Sequence, residues 1–171
     1  ISTASSYFIM VLPDGRTLFY ADCAVNIAPD ATQLAEIGVA TGRSFRALMG
    51  AEPRVAFLSF SSRGSASHPF VEKVAQAVAI AREKDPSLLI DGEFQADTAL
   101  SEVVARKKLK EPGPVAGNAD TLIFPDLDAG NIAYKLTQQL ARAEAYGPVL
   151  QGFARPVSDL SRGAKVKDIV G

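Results

Sequence analysis

The chain has 171 residues, of which 47% are hydrophobic and 22% are charged, and its formal net charge is −1. This composition is typical of one folded unit with a sizeable core, and it excludes a protein that nucleic acid or an anionic membrane would attract as a whole. One cysteine cannot form an internal disulfide and no apolar run approaches the ~18 residues of a membrane span, so a cytoplasmic protein is expected.

The first predicted elements form a β-hairpin. Two apolar runs, residues 7–12 and 17–21, flank the pair Asp14-Gly15. Glycine supplies the positive φ that a tight turn requires, so this pattern favours two antiparallel strands. A predicted helix then extends from about residue 28 to residue 48, with apolar residues at helical spacing on one face.

The rest of the chain alternates short apolar strands with helices. The predicted strands cover residues 54–60, 88–94, 121–124 and 148–154, and the predicted helices cover residues 69–84, 97–108 and 131–144. This alternation predicts a three-layer α/β/α fold with a mostly parallel sheet. Sites in such folds gather at the carboxyl ends of the strands, so the candidate loops are 61–68, 95–97, 125–130 and 155–163.

The loop 60–68 joins a strand to a helix with hydroxyls, an arginine and a glycine. Because backbone amides at a helix start favour anions, Ser61, Gly64 and Ser65 are candidates for binding a phosphate of a nucleotide-like substrate. The spacing matches neither a Walker loop nor a dinucleotide fingerprint, and ordinary serine capping is the alternative. His68, directly before Pro69, is interpreted as a helix cap.

Two carboxylates, Asp126 and Asp128, follow the strand at 121–124. A metal site with oxygen ligands needs more groups than this loop contains, so no metal is predicted. Asp128 or Asn131 is expected to cap the next helix and to hold the wall of a cleft. Lys135, one turn beyond Asn131, is a candidate for binding phosphate.

Cys23 is the alternative nucleophile, because acyl transfer through an enzyme thioester is common chemistry. It follows a predicted strand, and the neighbouring Asp22 would raise the pKa of the thiol. A small packed thiol is therefore favoured.

The last residues carry groups that suit an anion. Ser161, Arg162 and Gly163 place a hydroxyl, a guanidinium and a flexible glycine side by side, and Asp168 follows. By themselves these residues also fit a polar turn that enters a helix. Together with four other blocks, however, this stretch resembles the phosphate acetyltransferase (phosphotransacetylase) family. The similar blocks are residues 20–26, 59–69, 90–97, 125–135, 160–163 and 168–171.

The resemblance implies an enzyme that moves an acetyl group between coenzyme A and phosphate in a ternary complex. It implies coenzyme A as a substrate and no separate cofactor. Ser161, Arg162 and Asp168 match the family's active-site residues. Arg162 would bind phosphate, Ser161 would donate to the thiolate or the oxyanion, and Asp168 would accept the thiol proton or merely orient Arg162.

The resemblance further implies a core like that of isocitrate and isopropylmalate dehydrogenases, and a homodimer. Because the family's members are longer, residues 1–171 are expected to be the C-terminal portion of the family's domain. The N-terminal part of that domain, which supplies an arginine to the site, is expected to be absent.

Two alternative functions stay open. The first is a non-catalytic acyl-CoA-binding regulatory domain, like the one fused to some malic enzymes. A nicotinamide-dependent dehydrogenase is more remote, because the sequence contains no dinucleotide fingerprint. The preference for acetyl or butyryl groups is also open, since butyryl-transferring relatives share this framework.

Overall fold

A seven-stranded sheet runs through the part of the chain that the structure, a computed structural model, describes: residues 2–153, 155, 157 and 158. The strands are β1 (Ser5–Val11), β2 (Thr17–Ala21), β3 (Arg54–Leu58), β4 (Leu89–Phe94), β5 (Thr121–Ile123), β6 (Glu144–Gln151) and β7 (Val157–Ser158). The helices are α1 (Ala31–Met49), α2 (Pro69–Lys84), α3 (Ala96–Leu100), α4 (Glu102–Lys108) and α5 (Leu127–Leu140).

The order of the strands across the sheet is β4-β3-β5-β2-β1-β6-β7. Strands β2 to β6 all point the same way, and β1 and β7 run against them. The fold is therefore mixed α/β, and the predicted majority of parallel strands holds for five of the seven described strands. The antiparallel pairs arise because a hairpin joins β1 to β2, and β6 then pairs with the other edge of β1.

Helices cover both faces of the sheet, which confirms the predicted layers. α1 and α2 pack on one face, where Leu34 and Val74 meet Phe19 and Phe57 in one buried cluster. α3, α4, α5 and the loop 109–119 pack on the other face. Phe57 and its neighbour Leu58 lie in opposite clusters, as the alternation of side chains along a strand requires.

No helix among the described residues combines the length and the apolarity that a bilayer crossing requires.

Local signals set the ends of the first elements, and α1 begins three residues after the predicted start. In the hairpin turn, Gly15 has a φ of 89° and its N–H donates to the carbonyl of Leu12 at 2.9 Å. α1 begins after Asp30, which accepts a hydrogen bond from the N–H of Gln33 at 2.8 Å, and the Gln33 side chain accepts one in return. α2 begins after His68 with a proline in its first turn, so the interpretation of His68 as a cap is confirmed.

The predicted helix 97–108 is two helices in the structure. Ser101 has an extended backbone (φ −123°, ψ 114°), which ends α3, and its side chain accepts from the N–H of Val104 to begin α4. On one unbroken helix, Val103 would face inward with Leu100 and Val104, but its side chain is 65% exposed. Because the backbone is extended at Ser101, α4 does not continue the helical face of α3, and different residues of α4 face the core.

The predictions near the end of the described chain were displaced by several residues. The helix predicted at 131–144 is α5, which begins at Leu127 and ends at Leu140. The strand predicted at 148–154 is β6, which begins at Glu144. The helix begins earlier because the cap lies upstream of the residues that were expected to provide it.

Candidate functional site

An open cavity of about 450 Å³ lies at the carboxyl ends of β3 and β5. Its walls come from the segments at both ends of the loop 61–68, from the start of α3, from the β5–α5 loop and from Ala28 in the loop between β2 and α1. The lining residues are Ala28, Leu58, Ser59, Phe60, Phe70, Lys73, Ala96, Phe124, Pro125, Asp126 and Ala129. Segments at or beside three of the four predicted loops therefore meet around one cavity, as expected for the carboxyl edge of a sheet.

Loop 61–68 is built around the buried carboxylate of Glu93, at the end of β4. One oxygen of Glu93 accepts hydrogen bonds from the hydroxyl of Ser61 at 2.8 Å and from the N–H of Gly64 at 2.7 Å. The Ser61 hydroxyl in turn accepts from the N–H of Ala66 at 3.1 Å. Ser61 is fully buried, so its hydroxyl shapes the loop and does not face the surface.

The other two predicted phosphate ligands of this loop are exposed. Gly64 has a φ of 81°, a conformation that favours glycine. The hydroxyl of Ser65 accepts from the N–H of Ser62 at 3.0 Å. Of the three candidates, Gly64 and Ser65 are exposed and Ser61 is not, and the Gly64 N–H donates to Glu93.

Arg63 fastens the loop to its surroundings. Its guanidinium donates to Asp91 at 2.5 Å and to the carbonyl of Glu111 at 2.7 Å, and it lies 5.5 Å from the ring centroid of Phe94. Arg82 donates to the other oxygen of Asp91 at 2.7 Å. Arg63 therefore holds loop 61–68 against β4 and the segment around residue 111.

A second buried carboxylate organises the loop after β2. Asp22 accepts hydrogen bonds from the hydroxyl of Ser6 at 2.5 Å and from the N–H groups of Ala24 at 3.0 Å and Asn26 at 2.9 Å. The thiol of Cys23 is fully buried, and burial together with the charge of Asp22 raises its pKa far above the ordinary value. The interpretation of Cys23 as a packed thiol is confirmed, because a nucleophilic cysteine needs a lowered pKa and access to substrate.

The start of α5 is joined to this loop. An added Cβ on Gly130 would lie 2.2 Å from the carbonyl oxygen of Asp22, so only glycine permits the close packing of α5 on the loop. The side-chain amide of Asn131 donates to the carbonyl of Cys23 at 3.1 Å. Asn131 therefore joins the start of α5 to the loop after β2.

The cap of α5 is Asp126, which accepts from the N–H of Ala129 at 2.9 Å. The expectation that Asp128 or Asn131 caps the helix was wrong, because the helix begins one residue after Asp126. Asp128 is exposed in the first turn of α5. The ammonium of Lys135 is also exposed and lies 5.3 Å from the ring centroid of Tyr134.

The predicted catalytic residues Ser161, Arg162 and Asp168 lie outside the described residues. So does the predicted loop 155–163, apart from residues 155, 157 and 158. Within the described ranges, no group of three or more His, Cys, Asp or Glu side chains comes together as metal ligands would.

The sequence reasoning missed Glu93, Arg63 and the aromatic rim of the cavity. One signal for Glu93 was present: β4 contains two carboxylates, Asp91 and Glu93, and a carboxylate in a strand needs hydrogen-bond partners when it is buried. The partners themselves could not be read from the sequence, because Ser61 and Glu93 are 32 residues apart.

Residues 1–171 match the family model described as phosphate acetyl/butaryl transferase. The chain belongs to this family. The resemblance inferred from the short sequence blocks is thereby confirmed. The blocks 20–26, 59–69, 90–97 and 125–135 include the loops that follow β2, β3, β4 and β5, so these family segments share one edge of the sheet.

Individual members of the phosphate acetyl/butaryl transferase family agree with this assignment. The phosphate acetyltransferase of Acetivibrio thermocellus is 56% identical over 172 residues, which cover 98% of this chain and 52% of the relative. A phosphotransacetylase structure from Streptococcus pyogenes has a TM-score of 0.92 at 44% identity and covers 99% of this chain and 51% of its own. A branched-chain phosphotransacylase from Enterococcus faecalis V583 has a TM-score of 0.78 at 28% identity, over 96% of this chain and 60% of its own. The chain spans about half the length of the first two relatives.

Proposed function

We propose that the protein acts in acyl transfer between coenzyme A and phosphate, converting acetyl-CoA and phosphate into acetyl phosphate and coenzyme A. One observation carries the proposal: the whole chain matches the phosphate acetyl/butaryl transferase family. The open cavity beside the loops of four family blocks supports it, because this edge is where α/β folds bind their substrates. Coenzyme A and phosphate are substrates in this reaction, and the prediction that no separate cofactor is needed stays a prediction.

The chemistry is assigned to the three residues that match the family's active site. Arg162 would bind the attacking phosphate through its planar fork and would neutralise charge as the bond to the acetyl carbon forms. Ser161 would donate a hydrogen bond to the departing thiolate or to the developing oxyanion. Asp168 would take the proton of the thiol in the direction of acetyl-CoA synthesis.

The role of Asp168 is the demanding part of this assignment. Ordinary pKa values of about 8.5 for a thiol and about 3.9 for an aspartate differ by ~4.6, so complete proton transfer costs roughly 6 kcal/mol. A nearby guanidinium would lower the pKa of an aspartate further and widen the gap. Proton transfer concerted with attack on a polarised carbonyl avoids the free thiolate, and an aspartate that only orients Arg162 is the alternative.

Replacing Asp168 with asparagine separates the two roles. If Asp168 is the base, we expect turnover to fall about a hundredfold or more, the usual contribution of a positioned acid or base. Asp159→Asn, another carboxylate of the same stretch, is the matched control and should retain turnover. A fall of less than tenfold for Asp168→Asn would rule out the base role.

The proposed activity is tested by measuring acetyl phosphate formation from acetyl-CoA and phosphate, beside plain binding of acetyl-CoA. Formation of acetyl phosphate supports the enzyme. Binding without turnover favours the regulatory acyl-CoA-binding domain, and binding of a nicotinamide cofactor without acetyl-CoA would favour the dehydrogenase alternative.

The extent of the catalytic domain is a separate proposal. The relatives are about twice as long as this chain, which supports the prediction that residues 1–171 are the C-terminal portion of a longer domain. We therefore expect the 171-residue chain by itself to show little turnover, so the turnover measurements above, including those on Asp168→Asn, are made on the chain fused to the relatives' preceding half. Robust acetyl-CoA formation by the 171-residue chain would refute this expectation.

Finer assignments follow from the same resemblance. We propose a core of the isocitrate and isopropylmalate dehydrogenase type, a homodimer and a cytoplasmic location. Light scattering of the purified protein tests the homodimer directly, since a mass equal to one chain would contradict it.

A further inference from the structure

Arg63 has a strained backbone in the middle of loop 61–68. Its φ is 44°, in the left-handed region that residues with a Cβ rarely adopt. Such a conformation persists only where several contacts hold it, and such residues cluster at functional sites. The N–H of Arg63 donates to the carbonyl of Glu93 at 2.9 Å, and the guanidinium donates to Asp91 at 2.5 Å and to the carbonyl of Glu111 at 2.7 Å. The conformation of the loop therefore depends on contacts with other segments.

The guanidinium of Arg63 is bound to the protein itself. It lies over the ring of Phe94, 5.5 Å from the centroid, and Arg63 is not among the described residues that line the cavity. Both of its terminal nitrogens donate to protein oxygens, and the carboxylate of Asp91 balances its charge. Arg63 is therefore placed to hold the loop and not to bind a substrate phosphate.

Asp91 pairs with two arginines through different oxygens. Its Oδ2 accepts from Arg63 in the loop, and its Oδ1 accepts from Arg82 in the last turn of α2 at 2.7 Å. Arg82 also donates to the carbonyl of Ile90 at 2.9 Å, so its bonds go to β4 and not to loop 61–68. Each of the two pairs can therefore be removed without removing the other.

Loop 61–68 borders the cavity at both of its ends. Phe60, directly before the loop, and Phe70, two residues after it, line the cavity. Gly64 and Ser65, the exposed candidates for binding phosphate, lie next to Arg63. A displacement of about 1 Å in a group that positions a substrate can cost a hundredfold in rate. A reaction at this edge of the sheet therefore requires a contact that fixes the middle of the loop.

We propose that Asp91 is a positioning residue for the proposed acyl transfer: through its pair with Arg63 it holds loop 61–68 where the loop meets substrate. This inference rests on the proposed function. The side chain of Asp91 is only 8% exposed and lies between two guanidinium groups, so it acts through Arg63 and not on the reacting atoms. Removing its charge leaves two neighbouring cations without their shared counter-charge and releases the loop from β4.

Hydrogen exchange of the 171-residue chain tests whether the pair holds the loop. Asp91→Asn removes the charge and keeps the shape, and Arg63→Met removes the guanidinium and keeps an apolar stem. The amides of residues 64–66 all donate hydrogen bonds within the protein, and we expect their exchange to become about tenfold faster or more in both variants. Arg82→Met is the matched control, because it removes the other partner of the same carboxylate. Its loop amides should exchange within about twofold of the wild-type rate.

Turnover is measured on the chain fused to the relatives' preceding half. Arg63→Met and Asp91→Asn should each lower kcat/KM for acetyl phosphate formation about tenfold or more, within the hundredfold that a displaced positioning group can cost. The double variant should lose no more than the worse single variant, because both changes break the same pair. Arg63→Lys keeps a cation for Asp91 and should recover most of the loss.

Arg82→Met distinguishes positioning from stability. It should lower the urea midpoint of the protein, because a partly buried ion pair is lost, but leave kcat/KM within about twofold of the wild type. Circular dichroism establishes that each variant is folded.

The outcomes separate the positioning role from the proposed function. Unchanged kcat/KM in folded Arg63→Met and Asp91→Asn would overturn the positioning role and leave the proposed function standing. A lower kcat/KM without faster exchange in the loop, or an equal loss in Arg82→Met, would also contradict the role, since the effect would not pass through loop 61–68. A fused wild-type chain that forms no acetyl phosphate would overturn both proposals.

Discussion

Glu93→Ala tests whether a buried carboxylate builds loop 61–68. The change removes the acceptor of two hydrogen bonds, from the Ser61 hydroxyl at 2.8 Å and from the Gly64 N–H at 2.7 Å. Ser61 is fully buried and its other hydroxyl neighbour, Ser65, lies 3.4 Å away, so loss of Glu93 leaves the Ser61 hydroxyl poorly paired, and an unsatisfied buried donor costs about 1–3 kcal/mol. Gly64 is exposed, so its N–H can donate to water instead. Losing the bond from Gly64 therefore adds little to the loss of stability.

We therefore expect Glu93→Ala to lower the free energy of unfolding by about 1–3 kcal/mol, with a further loss from the space left behind. Glu93→Gln keeps the shape and one carbonyl acceptor, so it should cost about 1 kcal/mol less than the alanine variant. Urea unfolding followed by circular dichroism measures the stability of both variants. The urea concentration at the unfolding midpoint reports stability when the slope of unfolding free energy against urea concentration is unchanged. Faster hydrogen exchange at the Gly64 amide in Glu93→Ala would locate the effect in the loop.

Glu102→Ala is the control. Glu102 pairs with Arg106 on the surface of α4 at 3.4 Å, and removing such a pair changes stability by no more than about 0.5 kcal/mol. If Glu93→Ala is as stable as the wild type, or loses no more stability than Glu102→Ala, then Glu93 does not build loop 61–68.

Two further predictions concern α1. Gly38→Ala should destabilise the protein by about 1–3 kcal/mol despite the better helix propensity of alanine, because the added Cβ would lie 2.2 Å from the fully buried ring of Phe57. Gly42→Ala on the same helix should stay within about 1 kcal/mol of the wild type, because its neighbours at 3.1 Å are side-chain methyl groups of Leu88 and Val55 that can shift slightly. Equal unfolding midpoints for the two variants would contradict this explanation. Glu36 accepts hydrogen bonds from Ser2 and Thr3, with the Thr3 hydroxyl at 2.7 Å, and these bonds lower its pKa from 4.5 to about 2. The folded protein therefore binds this proton less tightly than the unfolded chain, so the stability that Glu36 contributes is fully present above pH 4.5 and disappears as the pH falls to about 2. The difference in unfolding free energy between the wild type and Glu36→Gln should shrink across that window, and a difference independent of pH would show that the charge of Glu36 is not what stabilises this contact.

Local sequence determined the elements whose signals lie within a few residues of one another. The Asp14-Gly15 turn, the bounds of α1 to within three residues and the whole of α2 were predicted because glycine conformation, proline geometry and side-chain caps act over one to four residues. Family membership was also readable from sequence, since it depends on short blocks of residues and not on their contacts.

Only the tertiary structure decided how those blocks meet. Ser61 faces Glu93 rather than a ligand because the strand order places β3 beside β4, and Asn131 reaches Cys23 because α5 packs on the loop after β2. The aromatic cavity likewise joins residues from Ala28 to Ala129 that no local pattern connects. Hydrogen bonds and apolar contacts between distant segments form only when the sheet has brought their strands together, so the site depends on strand order that propensity and periodicity do not contain.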